Sequence, residues 1–341
     1  MKNIYFYPQF DYEKEASPNP YIKDFQRSLE GNFYLINQKV NHKGVLDFFQ
    51  YIQRADIYIF NWIEDLPIYK LGKLQTLFFL LFLVIAKVLK KKIVWILHNK
   101  YSHFSAKNHW TDFMYKILMK YSDLIVTHSR EGISFVEENY PSQVSKVCYI
   151  NHPMREKPKE IPKLKQQKEF DFLIWGTIQP YKGVLEFLKF LNTSEERKNL
   201  KLLIAGKCFD KTYKQKMFPY LNENITVKDD FFSLEEIREM ARKCNFILFT
   251  HKFVSVLSSG ALMDAVSMGV KIIGPDHGSF KDLSSLSFVE TYKDYEGILS
   301  LNNTSKNTPV NFEELTSFYS ENTWKGFGNY LEGKLQKLYN E

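Results

Sequence analysis

The stretch FDFLIWGTIQPYKGVLEFL, residues Phe170–Leu188, decides how the chain folds. Its first part is an apolar run that predicts a buried strand, and this run ends in a turn through Gly176 and Pro180. Apolar residues then recur at helical spacing, at Val184, Leu185, Leu188 and Leu191. A strand, a glycine turn and a helix in succession predict one βα unit of a parallel sheet.

The turn in this stretch has the composition of a phosphate-binding loop. Gly176 lets the backbone approach an anion, the following helix begins with N–H groups that lack intrahelical partners, and Lys182 adds a positive charge. The alternative is an ordinary loop that carries a surface lysine, because turns of this kind are common. The residues of the turn alone leave both interpretations open.

The same alternation of strand and helix patterns extends over the rest of the chain. Strands are predicted at 3–7, 33–36, 56–60, 93–97, 123–127, 146–150, 170–174, 200–205, 225–228, 246–249 and 270–273, with helical patterns between them. Such alternation predicts parallel strands that are joined by crossover helices. The predicted fold is therefore α/β, with two doubly wound, Rossmann-like domains facing a central cleft, where ligands bind at the carboxyl ends of the strands.

One segment breaks the alternation and predicts the domain boundary. Residues 151–168 hold three prolines among five lysines and almost no large apolar residues, which is typical of a linker. The N-terminal domain is then 1–150, and the C-terminal domain is 169–310. A helical tail over 311–341 is expected to pack back toward the N-terminal domain.

Composition bounds the class of protein. The chain has 341 residues, enough for about two domains, and a net charge of +7 that fits an anionic ligand or an anionic surface. Its three cysteines lie far apart, which disfavours a disulfide framework and makes a cytoplasmic location the default. The first residues have a strand pattern and do not resemble a signal peptide. Basic residues are scattered and no recognition module is present, so nucleic-acid binding is disfavoured.

The most apolar segment is LFFLLFLVIA at 77–86, which four lysines follow within 87–92. It is about half as long as a membrane span. A helix buried in the core is the favoured interpretation. A helix at an anionic membrane surface, placing the protein at the inner face of the cell membrane, is the alternative.

Polar side chains follow the predicted strand at 93–97 directly. His98 and Asn99 come first and His103 soon after, and imidazole can act as a general acid–base or bind a sugar hydroxyl. His128 ends the next strand and is a further candidate for the same edge. Histidines satisfied by the backbone are the alternative. The spacing does not match a histidine–carboxylate metal motif.

A second candidate anion site precedes the predicted helix at 259–268. Ser258, Ser259 and the N–H of Gly260 lie at its start, where helix N–H groups favour an anion. Simple capping by serine is the alternative. Asp264, one turn into the helix, is a candidate to bind ribose hydroxyls, or else a solvated helix charge.

Together these residues resemble the GT-B glycosyltransferases, specifically the retaining nucleotide-sugar group often called family 4. The resemblance covers nearly the whole chain and is strongest over 170–280. Gly176–Gly183 is similar to that family's phosphate loop, Ser258–Gly278 to its donor-binding helix and following strand, and His98–Asn99 to its acceptor-side loop.

Two positions depart from the family pattern. The family's arginine before Lys-Gly is replaced by Gln179, and the two glutamates spaced eight residues apart are replaced by Val256 and Asp264. A Ser-Gly turn stands in place of the first glutamate. Lys182 must then supply the positive charge at the diphosphate.

The resemblance implies a metal-independent glycosyltransferase of the hexosyltransferase type. It would move a sugar from a nucleoside-diphosphate sugar to a hydroxyl of a glycan or lipid-linked acceptor, with retention, in surface polysaccharide biosynthesis. No cofactor is implied, and a UDP-sugar is favoured over a GDP-sugar. His98 and Lys182 would be catalytic. The implied donor-binding residues are Gly176, Gln179, Lys182, Ser258, Ser259, Gly260 and Asp264, and the residues in contact with the acceptor or sugar are His98, Asn99 and His103.

Two other functions remain open from the sequence. One is a nucleotide-sugar epimerase or hydrolase on the same fold, which needs histidine or carboxylate bases in the cleft. The other is a non-catalytic protein that binds a glycan or a nucleotide.

Overall fold

The computed structural model of the protein describes residues 1–11, 20–38, 44–101, 109–158, 168–251 and 257–340. The chain divides into two compact units. The N-terminal unit comprises Met1–Pro153, Ser255–Ser258 and Asn322–Glu341, and the C-terminal unit comprises Met154–Val254 and Ser259–Glu321. The N-terminal unit therefore combines segments that lie far apart in sequence, whereas only residues 255–258 separate the two segments of the C-terminal unit.

The N-terminal unit is built on a six-stranded parallel sheet in the order β2-β1-β3-β4-β5-β6. Its strands are β1 (Lys2–Tyr7), β2 (Phe33–Leu35), β3 (Ile57–Asn61), β4 (Lys92–Leu97), β5 (Leu124–Thr127) and β6 (Val147–Tyr149). Its helices are α1 (Pro20–Leu29), α2 (Leu46–Gln50), α3 (Gly72–Val88), α4 (His109–Tyr121), α5 (Arg130–Asn139) and α14 (Trp324–Asn340), with short 3₁₀ helices at Ile63–Ile68 and Pro141–Lys146.

Strand β3 shows why this sheet needs helices on both faces. All five of its residues are buried, and alternate side chains enter different cores. Ile57 and Ile59 pack in the core that includes α1 and α14, whereas Tyr58 and Phe60 pack in the core that includes α3 and α4. A strand that is apolar on both sides is stable only when both of its faces are covered.

The C-terminal unit is built on a second six-stranded parallel sheet in the order β12-β11-β10-β7-β8-β9. Its strands are β7 (Phe170–Trp175), β8 (Leu202–Ala205), β9 (Ile225–Lys228), β10 (Cys244–Leu248), β11 (Lys271–Pro275) and β12 (Val289–Tyr292). Its helices are α6 (Val184–Leu191), α7 (Glu195–Lys198), α8 (Lys211–Met217), α9 (Leu234–Arg242), α10 (Gly260–Ser267), α11 (Gly278–Asp282), α12 (Tyr295–Ser305) and α13 (Phe312–Glu321), with 3₁₀ helices at Pro180–Lys182 and Phe218–Tyr220.

The predicted α/β fold with two doubly wound parallel sheets is confirmed. The sequence pattern missed β12, a four-residue edge strand whose two central residues are only partly buried. The predicted helical tail consists of two helices, α13 and α14. Thr323 lies between them, and its hydroxyl accepts the N–H of Gly326 at 3.1 Å, which caps the start of α14.

Candidate functional site

The predicted phosphate loop lies at the point where the strand order of the second sheet reverses. Starting from β7, the chain adds β8 and β9 on one side and then returns to add β10 on the other. Doubly wound sheets bind ligands at the carboxyl ends of the strands beside this reversal. The loop that follows β7 therefore lies at the edge where a ligand is expected.

Lys182 lies directly over Gly176 in this loop. Gly176 has a φ of +84°, and a β-carbon there would lie 3.0 Å from the Lys182 Nζ. The Nζ donates a hydrogen bond to the carbonyl oxygen of Trp175 at 3.2 Å. No carboxylate in the described part of the chain forms an ion pair with it. Burial lowers the pKa of Lys182 to about 8, because desolvation disfavours the ammonium form. A bound anion would reverse this effect.

Several backbone N–H groups of the loop already have hydrogen-bond partners. The N–H groups of Gly176 and Ile178 donate to the carbonyl oxygens of Ala205 and Lys207 at 3.0 and 2.9 Å. Within the turn, the N–H of Lys182 donates to the carbonyl oxygen of the exposed Gln179 at 3.0 Å. These three N–H groups are therefore not available to an anion, whereas the Lys182 ammonium lies beside them in the same loop.

Gly183 fixes this loop against the end of β10. It has a φ of +70°, and a β-carbon there would lie 2.2 Å from the carbonyl oxygen of Thr250. The Thr250 Oγ1 in turn donates to the carbonyl oxygen of Lys182 at 2.6 Å. The two strand ends at the reversal point are thus tied together through the backbone on either side of Gly183.

The start of α10 is a helix terminus that no side chain caps. Ser259 is the N-cap residue, but its hydroxyl accepts no hydrogen bond from the helix. By contrast, Ser233 at the start of α9 forms a full capping box with Glu236. Ser258 and Ser259 are partly exposed and Gly260 is exposed. The first N–H groups of α10 are therefore directed at a surface where an anion can approach.

Asp264 on α10 is held by Arg155. The Nε and Nη2 of Arg155 donate to its two carboxylate oxygens, the first at 3.0 Å. Burial raises the pKa of Asp264, and the guanidinium opposes that shift. The next residue, Glu156, pairs with the buried Arg238 at 2.6 Å. The described end of the predicted linker is thereby attached to the C-terminal unit through two consecutive ion pairs.

In the N-terminal unit, His98 lies at the carboxyl end of β4 with 7% of its surface exposed. Its Nε2 contacts the Asn61 Oδ1 at 3.1 Å, and the Asn61 Nδ2 donates to the carbonyl oxygen of Tyr7 at 3.1 Å. Since the Asn61 oxygen must accept, the His98 Nε2 carries a proton and donates it to this hydrogen bond. The ring stacks on Trp62 at 4.5 Å. Asn99 is also buried, and its carbonyl oxygen accepts from the Tyr115 hydroxyl.

His128 follows β5 directly, and its ring is buried and hydrogen-bonded within the N-terminal unit. It is 1% exposed, its Nδ1 contacts the carbonyl oxygen of Ile150 at 2.9 Å, and its Nε2 contacts the Tyr21 hydroxyl at 2.7 Å. Burial lowers its pKa to about 4, so the ring is neutral at neutral pH. His103 lies outside the described residues, as does Val256.

Sequence reasoning missed three residues that hold the candidate site residues in place: Asn61 contacts His98, Arg155 contacts Asp264, and Thr250 contacts the backbone of Lys182. Asn61 and Thr250 follow buried strand residues at the carboxyl ends of β3 and β10, which is the same signal that singled out His98. That signal would have found both. Arg155 gave no local signal, because its partner lies 109 residues away in the chain.

No protein-family model and no curated protein matches the sequence. Solved structures match the fold over nearly the full length. The structure of Anabaena Alr3699/HepE in complex with UDP and glucose has a TM-score of 0.69 at 13% identity and covers 99% of this chain and 100% of its own. The lipopolysaccharide outer core galactosyltransferase WaaB gives 0.63 at 14%, covering 98% and 100%. AviGT4, a glycosyltransferase involved in avilamycin A biosynthesis, gives 0.60 at 11%, covering 100% and 98%. The chain has the fold of the GT-B glycosyltransferases.

Proposed function

We propose that this protein is a glycosyltransferase that moves a sugar from a nucleoside-diphosphate sugar to a hydroxyl of a glycan or lipid-linked acceptor. The observation that carries the proposal is the Lys182 ammonium, which lies without a carboxylate partner among the described residues at the reversal point of the second sheet. The pKa of about 8 marks it as a charge that the protein itself solvates poorly. A diphosphate is the ligand class that satisfies such a charge at this position.

Lys182 would stabilise the negative charge that develops on the diphosphate as the bond to the sugar breaks. A positive charge fixed before the reaction stabilises such a leaving group without further reorganisation. The uncapped start of α10 would add its N–H groups to the same anion. Gln179 is neutral and exposed, so it would contribute at most a hydrogen bond.

Asp264 would accept hydrogen bonds from the ribose hydroxyls. Each of its carboxylate oxygens already accepts one bond from Arg155 and keeps a further lone pair. In this proposal Arg155 is a positioning residue, because it holds the carboxylate in place and opposes the effect of burial on its pKa.

His98 would contact the transferred sugar or the acceptor. Asn61 accepts a hydrogen bond from its Nε2, and Trp62 fixes the plane of the ring by stacking. The ring is therefore held in a fixed orientation at the carboxyl end of β4. The reaction would proceed with retention, without a metal ion, and in surface polysaccharide biosynthesis, as the resemblance to family 4 implies.

The proposal is tested by calorimetric titration of the full chain with UDP, UDP-glucose and GDP-mannose. UDP is the first nucleotide to test, since the Anabaena structure with this fold contains UDP. Lys182→Met is expected to weaken binding of the preferred nucleotide roughly tenfold or more, the loss of one charge-assisted contact. The matched control is Lys189→Met, an exposed lysine on α6 that should leave the affinity unchanged.

Product analysis separates the alternatives. Transfer to an added acceptor, insensitive to a chelator, supports the proposal as stated. Release of free sugar or of an epimer without any transfer would instead assign a hydrolase or epimerase. Tight binding of the donor with no turnover would assign a binding protein. Equal affinity of UDP for the wild type and Lys182→Met would refute the proposed donor site.

A further inference from the structure

Residues 77–86 of helix α3 are apolar around the whole circumference, yet only one face of the helix is buried. Phe79, Phe82, Leu83 and Ala86 pack in a core of the N-terminal unit. The opposite face is exposed, with Leu77, Leu81 and Val88 showing 53%, 51% and 76% of their surface. Helices that are apolar on all sides are normally buried on all sides, and monomeric soluble proteins rarely expose a continuous apolar strip.

The exposed strip runs the length of the helix. Its residues recur three and four positions apart, so they share one face over a length of about 25 Å. Neighbouring segments extend it, with Leu71 before the helix and the exposed Phe113 on α4. We call this the α3 face, and its exposed apolar members are Tyr69, Leu71, Leu74, Leu77, Phe78, Leu81, Val84, Val88, Leu89 and Phe113.

Lysines lie at both ends of the α3 face. Residues 66–101 contain no aspartate or glutamate, and their seven lysines are Lys70, Lys73, Lys87, Lys90, Lys91, Lys92 and Lys100. Lys70 and Lys73 are exposed at one end of α3, and Lys90 is exposed at the other. Lys87 and Lys100 are paired with Asp123 and Glu131. On α4, the exposed Asp112 is opposed by the exposed Lys116 and Lys120.

We propose that the α3 face docks the protein on the surface of an anionic lipid bilayer. The exposed leucines, Phe78 and the valines would enter the boundary between headgroups and acyl chains, and the lysines at both ends would contact the phosphate groups. None of the described helices is long and apolar enough to cross a membrane, so α3 would lie along the surface. This proposal does not rest on the proposed transferase activity.

Charge favours a bilayer over a second copy of the chain. In a symmetric dimer the same surface patch appears on both partners, so the lysines of one α3 face would meet the lysines of the other. Like charges brought together in this way oppose association. An anionic bilayer offers both an apolar layer and the opposite charge, and it therefore complements every part of the face.

The test is co-sedimentation of the full chain with vesicles of phosphatidylcholine, with and without phosphatidylglycerol. We expect binding to the vesicles that contain phosphatidylglycerol and a decrease in binding as salt is added. Lys70→Gln with Lys73→Gln should lower the partition coefficient about fivefold for each lysine. Leu77→Gln with Leu81→Gln should lower it roughly tenfold or more.

Matched controls come from the C-terminal unit. Phe209→Gln with Phe218→Gln removes two exposed apolar side chains, and Lys211→Gln with Lys216→Gln removes two exposed lysines. Both controls should bind as the wild type does, and circular dichroism establishes that each variant is folded. The proposal is overturned if the wild type does not bind anionic vesicles at low salt, or if the controls lose as much binding. It is also overturned if the α3 variants only dissociate a dimer in sedimentation experiments.

Discussion

Lys182 and Glu64 show how burial moves the pKa of a side chain in either direction. Burial lowers the pKa of Lys182 and raises that of Glu64, in each case to about 8. The cause is the same, because removal from water disfavours the charged form of either group. They differ in place: Lys182 lies at the proposed ligand edge, whereas Glu64 lies in a core of the N-terminal unit.

The Lys182 charge is expected to reduce the stability of the fold while serving binding. A folded-state pKa below the unfolded value means that the folded state disfavours the charged ammonium. The charge therefore lowers the free energy of unfolding, and this destabilisation is fully present below pH 8. It disappears as the pH rises from about 8 to 10.5. Lys182→Met should therefore be more stable than the wild type at pH 7, by about 1–2 kcal/mol after allowance for solvent screening.

Urea unfolding at pH 7 and pH 10 measures this difference. The gap between Lys182→Met and the wild type should narrow at the higher pH, whereas the Lys189→Met control should show no gap at either. A Lys182→Met variant that is less stable at pH 7 would show that the lysine is a structural residue.

Glu64 is expected to make the N-terminal unit less stable as the pH rises. Its Oε2 accepts the Trp95 Nε1–H at 3.0 Å, and its Oε1 has no partner among the described residues. Since the pKa is raised from 4.5 to about 8 in the folded state, the stability that the bound proton contributes is present below pH 4.5 and is lost as the pH rises to about 8.

Glu64→Gln keeps the acceptor for Trp95 and removes the titration. It should match the wild type at pH 5 and exceed its unfolding free energy at pH 9 by about 2–4 kcal/mol. The control is Glu138→Gln, an exposed glutamate near the end of α5. Equal pH dependence of the wild type and Glu64→Gln would contradict the assignment.

At the scale of elements, the loop between β7 and α6 depends on two glycines with positive φ. Gly176 leaves room for the Lys182 ammonium, and Gly183 leaves room for the Thr250 carbonyl. Glycine is required at both positions because another group of the protein lies too close to leave room for a β-carbon. The sequence marked the glycines, but only the packed loop explains why side chains are excluded there.

Gly183→Ala is expected to destabilise the C-terminal unit by about 2–4 kcal/mol. The alanine would be strained at a positive φ, and its β-carbon would clash with the carbonyl oxygen of Thr250. It should also weaken nucleotide binding, since the loop that carries Lys182 must move. Gly333→Ala on α14 is the matched control. A β-carbon there meets nothing within 4 Å, so alanine should stabilise the helix by about 0.5–1 kcal/mol. Equal melting temperatures for the two variants would contradict the expected clash.

At the scale of the whole molecule, the last helix of the chain completes the first unit. Phe327, Leu331 and Leu335 of α14 are buried in the core that also contains Ile57 and Ile59 of β3. The core thus brings residues of β3, near the start of the sequence, together with residues of α14, near its end. Helix α14 and helix α1 therefore cover the same face of the N-terminal sheet.

Leu331→Ala is expected to lower the stability of the N-terminal unit by about 2–4 kcal/mol, the usual cost of a large cavity in a core. Lys337→Ala, an exposed position on the same helix, should change the stability by less than about 0.5 kcal/mol. Thermal unfolding compares the two. Similar melting temperatures would show that α14 is dispensable for this core.

Of the twelve strands in the described residues, the sequence pattern predicted eleven, because buried parallel strands are nearly continuous apolar runs between turn signals. It missed β12, whose edge position leaves half of its residues partly exposed. At the candidate site, it marked Lys182, His98 and Asp264 through their places beside strand ends and helix starts. It gave no indication of what each would contact.

By itself, then, the sequence determined the α/β class, the parallel order of strand and helix, and the edges at which polar side chains collect. These follow from periodicity and turn chemistry, which act over a few residues. Only the tertiary structure decided that Arg155 holds Asp264, that Asn61 orients His98, and that one face of the apolar helix α3 stays exposed. Such contacts join residues tens to hundreds of positions apart, and their formation depends on how the elements pack.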